Sequence, residues 1–565
     1  MDGRSTALAP VVPKHSILMV SDFFYPRLGG VEMHIWSLSQ CLLHLGHKVV
    51  VLTNRYGERA GVRYMTNGLK VYYAPVLPIS DQDSMPTLWT FLPYLRSILI
   101  RERITLVHGH QATSTLAQES LFFAKCMGYK AVYTDHSLFG FSDIASVNLN
   151  KWMKVSLSDM DHSIAVSHTC RENLVLRAAL DPRRTSAIPN AVDAKKFTPD
   201  PTARWPSDTV NIVMVSRLVY RKGVDLVVDV IPEICRRFPN VHFIIGGDGD
   251  KRLLLEEMRE RHSLHDRVEL LGAVPHARVR DTLVRGHIFL NCSLTESFCI
   301  AILEAACAGL YVVSTKVGGV PEVLPPRMIT FAEPSPASLI EALSKAIPRA
   351  RHVEPHDFNK ELSGLYSWRD VAARTVRVYD RVAGTPPAPL IERLARYYST
   401  GRVLGLLAVG IAVLVFLFWR FVEWCMPEED MDIAPDFPRA TFRQHVLKRS
   451  LSLHAEYRAM QQQEPNPLNQ SDARHLGAAP AATSLPDAGA AVDGWYRGYA
   501  RGRGDSSSTG RMGIIAQGHA RTDAAATRAL GDVQRRGRAD STVSVVSSFS
   551  PPLGPATPQL GLPLL

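Results

Sequence analysis

A buried strand, a glycine pair, an amphipathic helix and a second strand follow one another near the start of this chain, and the same order begins again after residue 206. Ser16 to Asp22 reads as the first strand and Gly29-Gly30 close the loop behind it. Val31, Ile35, Leu38, Leu42 and Leu45 then recur at helical spacing until Gly46 ends the helix, and Lys48 to Thr53 forms the next strand. Strands at Leu106–His108 and Ala131–Thr134, with helical patterns between them, extend this βαβ unit to a doubly wound parallel sheet that ends near Pro189. Past the proline-rich stretch Thr198–Pro206, Asn211 to Ser216 is again a strand. A helix carrying Leu226, Val227, Val230, Ile234 and Phe238 leads from it to a strand at Val241–Ile245. The expected fold class is therefore α/β, with two Rossmann-like domains over residues 14–205 and 206–390. Ligands of such sheets sit beyond the carboxyl ends of the strands, so the loops after Asp22, Thr134, Ser216 and Ile245 are expected to converge on one interdomain cleft.

The chemistry concentrates between Asn291 and Leu324. Glu296 and Glu304 flank an apolar run that reaches Gly309, a helix-ending glycine, which predicts Glu296 at a helix entrance and Glu304 about two turns inside. Carboxylates placed so accept hydrogen bonds from sugar hydroxyls. An amphipathic helix with two solvated glutamates is the plainer alternative. The following strand, Tyr311 to Ser314, leads to Gly318-Gly319, whose backbone N–H groups can approach a ligand closely. Arg217 and Lys222 follow the strand that ends at Ser216, and Gly223 opens a helix whose N-terminus adds partial positive charge. Cations there suit a site where negative charge develops on a departing phosphate. Gly29-Gly30 stand before a helix N-terminus in the other domain and are a second place for the same anion. Neither this glycine pair nor Gly246-Gly247-Asp248-Gly249 has the G-x-G-x-x-G spacing, which disfavours a dinucleotide dehydrogenase.

The stretches S-D-F-F-Y-P-R-L-G-G-V-E (21–32), T-D-H-S-L-F-G-F (134–141), S-R-L-V-Y-R-K-G (216–223), the Glu296-to-Glu304 segment and V-G-G-V-P-E-V (317–323) agree in order and spacing with one known pattern. The chain resembles retaining glycosyltransferases of GT-B architecture with the Glu, seven residues, Glu signature. Within that class it resembles the phosphatidylinositol N-acetylglucosaminyltransferase family, which begins GPI-anchor synthesis, over about residues 14–425. The resemblance implies transfer of N-acetylglucosamine from UDP-GlcNAc to phosphatidylinositol with retention, the leaving phosphate oxygen itself taking the acceptor proton. It makes 14–205 the acceptor domain and 206–390 the nucleotide-sugar domain. Glu296 with the Gly318-Gly319 backbone is implied for the transferred sugar, Glu304 for the ribose, Arg217 and Lys222 for the diphosphate. His136 is implied against the donor sugar, Asp135 either orients it or meets the acceptor, and His108 and His110 are further acceptor-side candidates. D-x-D triplets at Asp81–Asp83, Asp248–Asp250 and Asp430–Asp432 could hold a divalent metal. With Arg217 and Lys222 available as countercharge, no metal and no cofactor beyond the donor is expected. The alternatives are another retaining lipid glycosyltransferase, such as a phosphatidylinositol mannosyltransferase, and an inactive scaffold of the same fold.

At 565 residues and 46% hydrophobic content the chain has room for more than one core. A net charge of +10 admits anionic partners, but no basic block interleaved with aromatics marks a nucleic-acid surface; membrane and phosphate fit better. Its 8 cysteines include no C-x-x-C pair, which argues against a zinc site or a disulfide framework. Residues 403–418 carry no charge, and arginines and aromatics flank them (Arg396, Tyr398, Arg402; Trp419, Arg420, Trp424), so a transmembrane helix is expected over 401–422. The first apolar run, Ile17–Val20, is too short for a signal sequence, and with the arginines before the span this leads to the expectation of cytosolic catalytic domains; the family resemblance implies a single-pass protein of the endoplasmic reticulum membrane. Residues 1–13 read as a flexible terminus. From 440 to 565 the chain is rich in Ala, Gly, Ser, Pro and Arg and is expected to be disordered, its R-G-D at 502–504 a coincidence of composition. The family resemblance further implies a multi-protein complex.

Overall fold

A computed structural model describes residues 15–438, apart from 28, 81, 142 and 205–207, together with Phe442. The expectations for residues 1–13 and, Phe442 apart, for the tail from 440 lie outside the described residues.

The first lobe opens with β1 (Ser16–Val20), every residue of which is buried, as a central parallel strand covered on both faces requires. Helix α1 (Gly30–His44) returns the chain to β2 (Lys48–Asn54). An edge hairpin that the sequence reading did not separate follows: β3 (Gly61–Met65) runs antiparallel to β4 (Leu69–Ala74), and β4 pairs parallel with β2. Exposed β3 closes the sheet on that side, while a small ribbon of β5 (Pro78–Ser80) and β6 (Asp83–Ser84) stands apart. Helix α2 (Leu92–Arg101), β7 (Leu106–His110), α3 (Thr115–Cys126), β8 (Lys130–Asp135), α4 (Ile144–Ser156), β9 (His162–Ala165), α5 (His168–Ala178) and β10 (Thr185–Ala187) complete the lobe. The strand order is β10-β9-β8-β7-β1-β2-β4-β3. The direction of winding reverses between β1 and β7, so the loops leaving those two strands diverge and leave a crevice between them.

The second lobe repeats this logic. Its strands are β11 (Val210–Val215), β12 (Val241–Gly246), β13 (Val268–Gly272), β14 (Ile288–Asn291), β15 (Tyr311–Thr315) and β16 (Ile329–Ala332), all parallel, in the order β13-β12-β11-β14-β15-β16. That is the Rossmann order, with its switch point between β11 and β14. Helices α6 (Val224–Arg237), α7 (Arg252–Arg261), α8 (His276–Leu283), α9 (Ile300–Cys307), α10 (Pro336–Ala350) and α11 (Pro355–Leu365) cover the sheet. On α6, Val224, Val227, Val230, Ile231 and Ile234 are all buried, the stripe expected of a helix lying on a sheet.

The chain then crosses back. Helix α12 (Trp368–Gly384), which the sequence boundaries count with residues 206–390, lies against α1 and the first sheet. The Tyr379 hydroxyl meets His108 Nδ1 at 2.7 Å, His15 Nε2 meets Asp380 Oδ1 at 2.8 Å, and Arg374 donates to the Ala187 carbonyl. Helix α13 (Leu390–Tyr398) and the long apolar helix α14 (Arg402–Cys425) follow. One stripe of α14 (Gly405, Ala408, Ala412, Val415, Val422) rests on α2, α3 and α4, small residues allowing the close approach, while its opposite face is exposed. Both flanks of α14 are tied to the first lobe. Arg393 and Arg396 pair with buried Asp159 before it, while after it Glu423 pairs with Arg96 at 2.6 Å and Ala434 N donates to the Arg101 carbonyl.

Two of the acceptor-side candidates belong to this framework and not to a binding surface. His108 is fully buried, with Nδ1 on Tyr379 and Nε2 on Thr134 Oγ1 at 2.7 Å, so both ring nitrogens are engaged. Asp135 is fully buried against the Arg177 guanidinium and accepts from the Tyr133 hydroxyl and Ser137 N, and it does not face an open space. His110 is also fully buried, its ring tilted against that of His108 with the centroids 4.2 Å apart, and its Nδ1 meets His136 Nε2 at 3.3 Å. His34 joins them, 4.7 Å from the His136 ring centroid, and donates from Nδ1 to Asn190 Oδ1 at 2.7 Å.

Burial lowers the pKa of His34 to about 4 and of His108 to about 3, and holds His110 and His136 well below the usual histidine range, each ring also opposing charge on its neighbours. These are bases whose folded pKa is depressed. The unfolded chain therefore binds more protons below pH 6.5, and the stability that the neutral rings contribute is present above that pH and is lost as pH falls from there toward 4. Denaturant unfolding of the purified protein should lose roughly 2 kcal/mol per buried histidine between pH 6.5 and 5. A His108→Asn variant should show a correspondingly shallower slope over that window, and equal slopes would contradict the buried neutral assignment.

Candidate active site

Between the two switch points lies a cleft of ≈ 720 Å³. The first lobe contributes the loop after β1 (Phe23, Arg27), the start of α1 (Gly29, Gly30, Glu32), the loop after β7 (Gln111, Thr113), the loop after β8 (His136, Ser137, Phe139) and Asn190. The second lobe contributes the segment after β11 (Ser216, Arg217, Arg221, Lys222), Val274–His276 and the residues from Thr295 to Glu304. Convergence of the loops after β1, β8 and β11 agrees with the sequence expectation. The loop after β12 does not line the cleft. Its Gly247 and Gly249 instead let the chain pass under Ser216 and Leu218: an added Cβ would stand 1.8 Å from the Ser216 carbonyl oxygen and 2.5 Å from that of Leu218.

Lys222 ends a short turn of 3-10 helix directly before α6, and its ammonium meets Glu296 Oε1 at 2.5 Å. Burial works against charge on Lys222, but the Glu296 carboxylate outweighs it and raises the lysine pKa, with the nearby Arg217 charge pulling the other way. The turn that presents Lys222 depends on Gly223, which has φ +70 and whose added Cβ would fall 1.8 Å from the Cys292 carbonyl oxygen. Beyond it, α6 directs its N-terminus toward the same region, and across the cleft α1 presents its own first turn from Gly29 and Gly30. Arg217, Lys222 and the first turn of α1 thus face one cavity, an arrangement that suits a diphosphate.

Glu296 is not on a helix. Helix α9 begins at Ile300 after Cys299, which has φ +73, so Glu296 lies on the preceding loop and Glu304 only about one turn inside the helix. The expected longer helix is interrupted because residues 293–298 are held by other partners. Ser293 Oγ donates to Glu296 Oε1 at 2.8 Å, Gly319 N donates to the Glu296 carbonyl at 3.0 Å, and Ser167 Oγ donates to the Ser297 carbonyl at 2.6 Å. Gly318 and Gly319 therefore do a different job from the one their sequence suggests. They pack behind the loop, where a Cβ would stand 2.1 Å from the Glu296 carbonyl oxygen or 2.2 Å from that of Ser297, and neither lines the cleft. Glu304 does line it, with His276 Nε2 3.8 Å from its Oε1.

The lobes are joined at the site. Ser297 Oγ donates to the His136 carbonyl at 2.5 Å, and the Glu322 carboxylate accepts from His168 N at 2.6 Å and Thr169 N at 2.8 Å at the N-terminus of α5. Of the sequence candidates, Gly29, Gly30, Arg217, Lys222, Glu296, Glu304 and His136 share the cavity, whereas His108, His110, Asp135, Gly318 and Gly319 stand behind its walls. Sequence reasoning missed Glu32, Asn190, Ser297, His276 and Glu322. Glu32 and Glu322 lay inside stretches already singled out, 21–32 and 317–323. Ser297 and Asn190 had no signal, because their roles are set by partners more than 100 residues away. Arg221, left unassigned by its sequence, lines the cleft with its guanidinium 5.8 Å from the Phe139 ring centroid.

Among the D-x-D residues, Asp83 lines the cleft, Asp248 accepts from Gly249 N and lies 3.7 Å from Arg252, and Asp81 is outside the described residues. Among the described residues, one group has the composition of a metal site: His34, His110 and His136, with ligating atoms within 4.8 Å of one another. Those rings are already engaged, with one another, with Asn190 and, at 3.4 Å, with Met19 Sδ.

Two family models match the chain, one described as PIGA (GPI anchor biosynthesis) over residues 54–143 and one as glycosyl transferases group 1 over residues 200–359. A phosphatidylinositol N-acetylglucosaminyltransferase subunit from Arabidopsis thaliana is 57% identical over 424 residues, covering 75% of this chain and 95% of the relative; the protein of the same name from Homo sapiens is 54% identical over 426 residues, covering 75% and 88%. Among solved structures, sucrose-phosphate synthase from Thermosynechococcus elongatus matches with a TM-score of 0.56 at 19% identity, covering 65% of this chain and 99% of that one. Anabaena HepE in complex with UDP matches with a TM-score of 0.52 at 15% identity, covering 65% and 100%; these two likenesses speak to the fold. With a GT-B architecture and relatives matched along nearly their full length, the chain belongs to the PIGA family of phosphatidylinositol N-acetylglucosaminyltransferases, the glycosyltransferases of GPI-anchor biosynthesis.

Proposed function

We propose that this protein moves N-acetylglucosamine from UDP-GlcNAc to the inositol of phosphatidylinositol with retention at the anomeric carbon. The observation that carries the reading is the single cleft holding Arg217, Lys222, Glu296, Glu304 and His136. The diphosphate lies toward Arg217, Lys222 and the N-termini of α1 and α6, and draws the Lys222 ammonium from Glu296. Glu296, released from that pair, accepts from hydroxyls of the transferred sugar, Glu304 accepts from the ribose, and His136 stands against the sugar. The bond from the anomeric carbon to the β-phosphate oxygen breaks while the bond to the inositol oxygen forms on the same face. The inositol proton passes to the departing phosphate, whose growing charge the cations stabilise. No protein nucleophile and no metal takes part. A mannosyltransferase on the same lipid and an inactive scaffold are the competing readings; a donor screen with radiolabelled sugar nucleotides separates all three.

The relatives are named as subunits, and we place this chain likewise within a multi-protein transferase of the endoplasmic reticulum membrane. Helix α14 is long and apolar enough to cross a bilayer, which supports a single pass with the catalytic lobes in the cytosol. The contacts that tie both flanks of α14 to the first lobe favour a second reading, a helix lying along the membrane face.

Lys222→Ala should lower turnover by about two orders of magnitude or more, the scale of losing one charge-stabilising group, with the thermal unfolding midpoint little changed; wild-type rates would remove Lys222 from the diphosphate site. Activity should persist in EDTA, and a loss that manganese or magnesium restores would overturn the metal-free reading. An N-glycosylation acceptor introduced beyond residue 440 should be modified in microsomes if α14 crosses, and its absence from the glycosylated pool would instead establish the in-plane helix.

A further inference from the structure

We infer that the first lobe has its own bilayer-docking surface at the mouth of the cleft, formed by the segments 77–89 and 139–152, through which the acceptor lipid is presented; this rests on the proposed lipid acceptor. The first segment carries Ile79, Leu88 and Trp89, and the second Phe141, Ile144 and Trp152, all large apolar side chains left exposed. They are held outward by structure. The Glu119 carboxylate accepts from Thr87 N, Leu88 N and the Thr87 hydroxyl, fixing Leu88 at φ 53, a conformation that a residue with a Cβ seldom adopts without such support. Asp143 caps α4 through Ser146 N at 2.8 Å, and Asn173 Nδ2 donates to the Phe139 carbonyl.

Each segment also reaches the cleft at one end and the membrane helix at the other. Asp83, within the first, and Phe139, at the start of the second, both line the cavity. The first runs directly into α2 and the second into α4, and those are two of the three helices on which α14 rests. Both segments thus lead, along the chain, into helices that carry the one helix apolar enough for a bilayer among the described residues. The chemistry of α4 favours lipid over a protein partner. Lys151 and Lys154 bracket Trp152, and the helix IASVNLNKWMKVS holds no acidic residue, the pattern of an interfacial element facing anionic headgroups. Docked this way, the lobe needs to lift an inositol headgroup only as far as Asp83 and Phe139, leaving the acyl chains in the bilayer.

The test uses the full chain with whatever partner proteins purify with it. Leu88→Glu combined with Ile144→Glu should cut transfer to long-chain phosphatidylinositol in phosphatidylcholine vesicles at least tenfold, while transfer to water-soluble dihexanoyl phosphatidylinositol and UDP binding by calorimetry stay at the unaltered level. Equal loss with both acceptors, no loss with either, or release of a co-purifying protein by the double variant would overturn the proposal, the last assigning the surface to a protein. An environment-sensitive fluorophore on Leu88→Cys should shift to the blue on adding vesicles, whatever sugar is transferred. Its failure to shift counts against the docking surface alone, whereas absence of transfer to either acceptor by the unaltered protein counts against the proposed reaction alone.

Discussion

A lysine ammonium and a glutamate carboxylate meeting at the floor of an interdomain cleft hold this site together. The Lys222–Glu296 pair joins the loop that leaves β11 to the loop that leaves β14, the two strands between which the second sheet reverses its winding. Because that reversal makes the loops diverge, something must bridge them, and the pair does so where a ligand enters. A partly buried ion pair contributes little net stability, since desolvation offsets most of the attraction. Its value here is in position: it ties the two loops together across the switch point, with Lys222 and Glu296 both on the cleft wall.

The glycines around the pair show how much backbone has been arranged to keep it there. Gly223 lets the Lys222 turn press on the Cys292 carbonyl, and Gly318 and Gly319 let the chain pass behind Glu296 and Ser297. A side chain at any of these positions would push the loop into the cleft or away from it. The same loop reaches the other lobe, through Ser297 to His136 and through Ser167 to Ser297, so the position of His136 is coupled to that of Glu296. Together with Glu322 at the head of α5, these contacts join the two lobes beside the cleft.

What the sequence disclosed follows from the range of the forces involved. Strand and helix periodicities report burial that is local in sequence, so β1, α1, β2, β11, α6 and β12 were legible to within a residue or two, and so was the convergence of Arg217, Lys222, Glu296 and Glu304. The edge hairpin of β3 and β4 was not, because β3 is exposed and lacks the alternation of a half-buried strand. The helix expected to begin at Glu296 begins at Ile300, since hydrogen bonds from Ser293, Ser167 and Gly319 outweigh helical propensity in that stretch. Asp135 reads as a site residue because it stands beside His136 in a family motif, and His108 and His110 because they end a strand of the acceptor-side domain. Their partners, Arg177, Tyr379 and His136, come from other elements, and only the fold could show that those groups were already satisfied.

The return of α12 to the first lobe explains why these buried polar groups exist. The first sheet needs a cover on the α1 face near His15 and His108, and the chain supplies it from beyond the second lobe with Tyr379 and Asp380. A polar seam fixes the register of that helix more sharply than an apolar one would, because a shift would strand the His108 nitrogen and the Tyr379 hydroxyl in a dry interior. Helices α13 and α14 follow α12 directly, so the same register fixes where the long apolar helix α14 is carried: against α2, α3 and α4. The position of α14 on the first lobe is thus tied to a hydrogen bond between a histidine and a tyrosine that both stand behind the walls of the cleft.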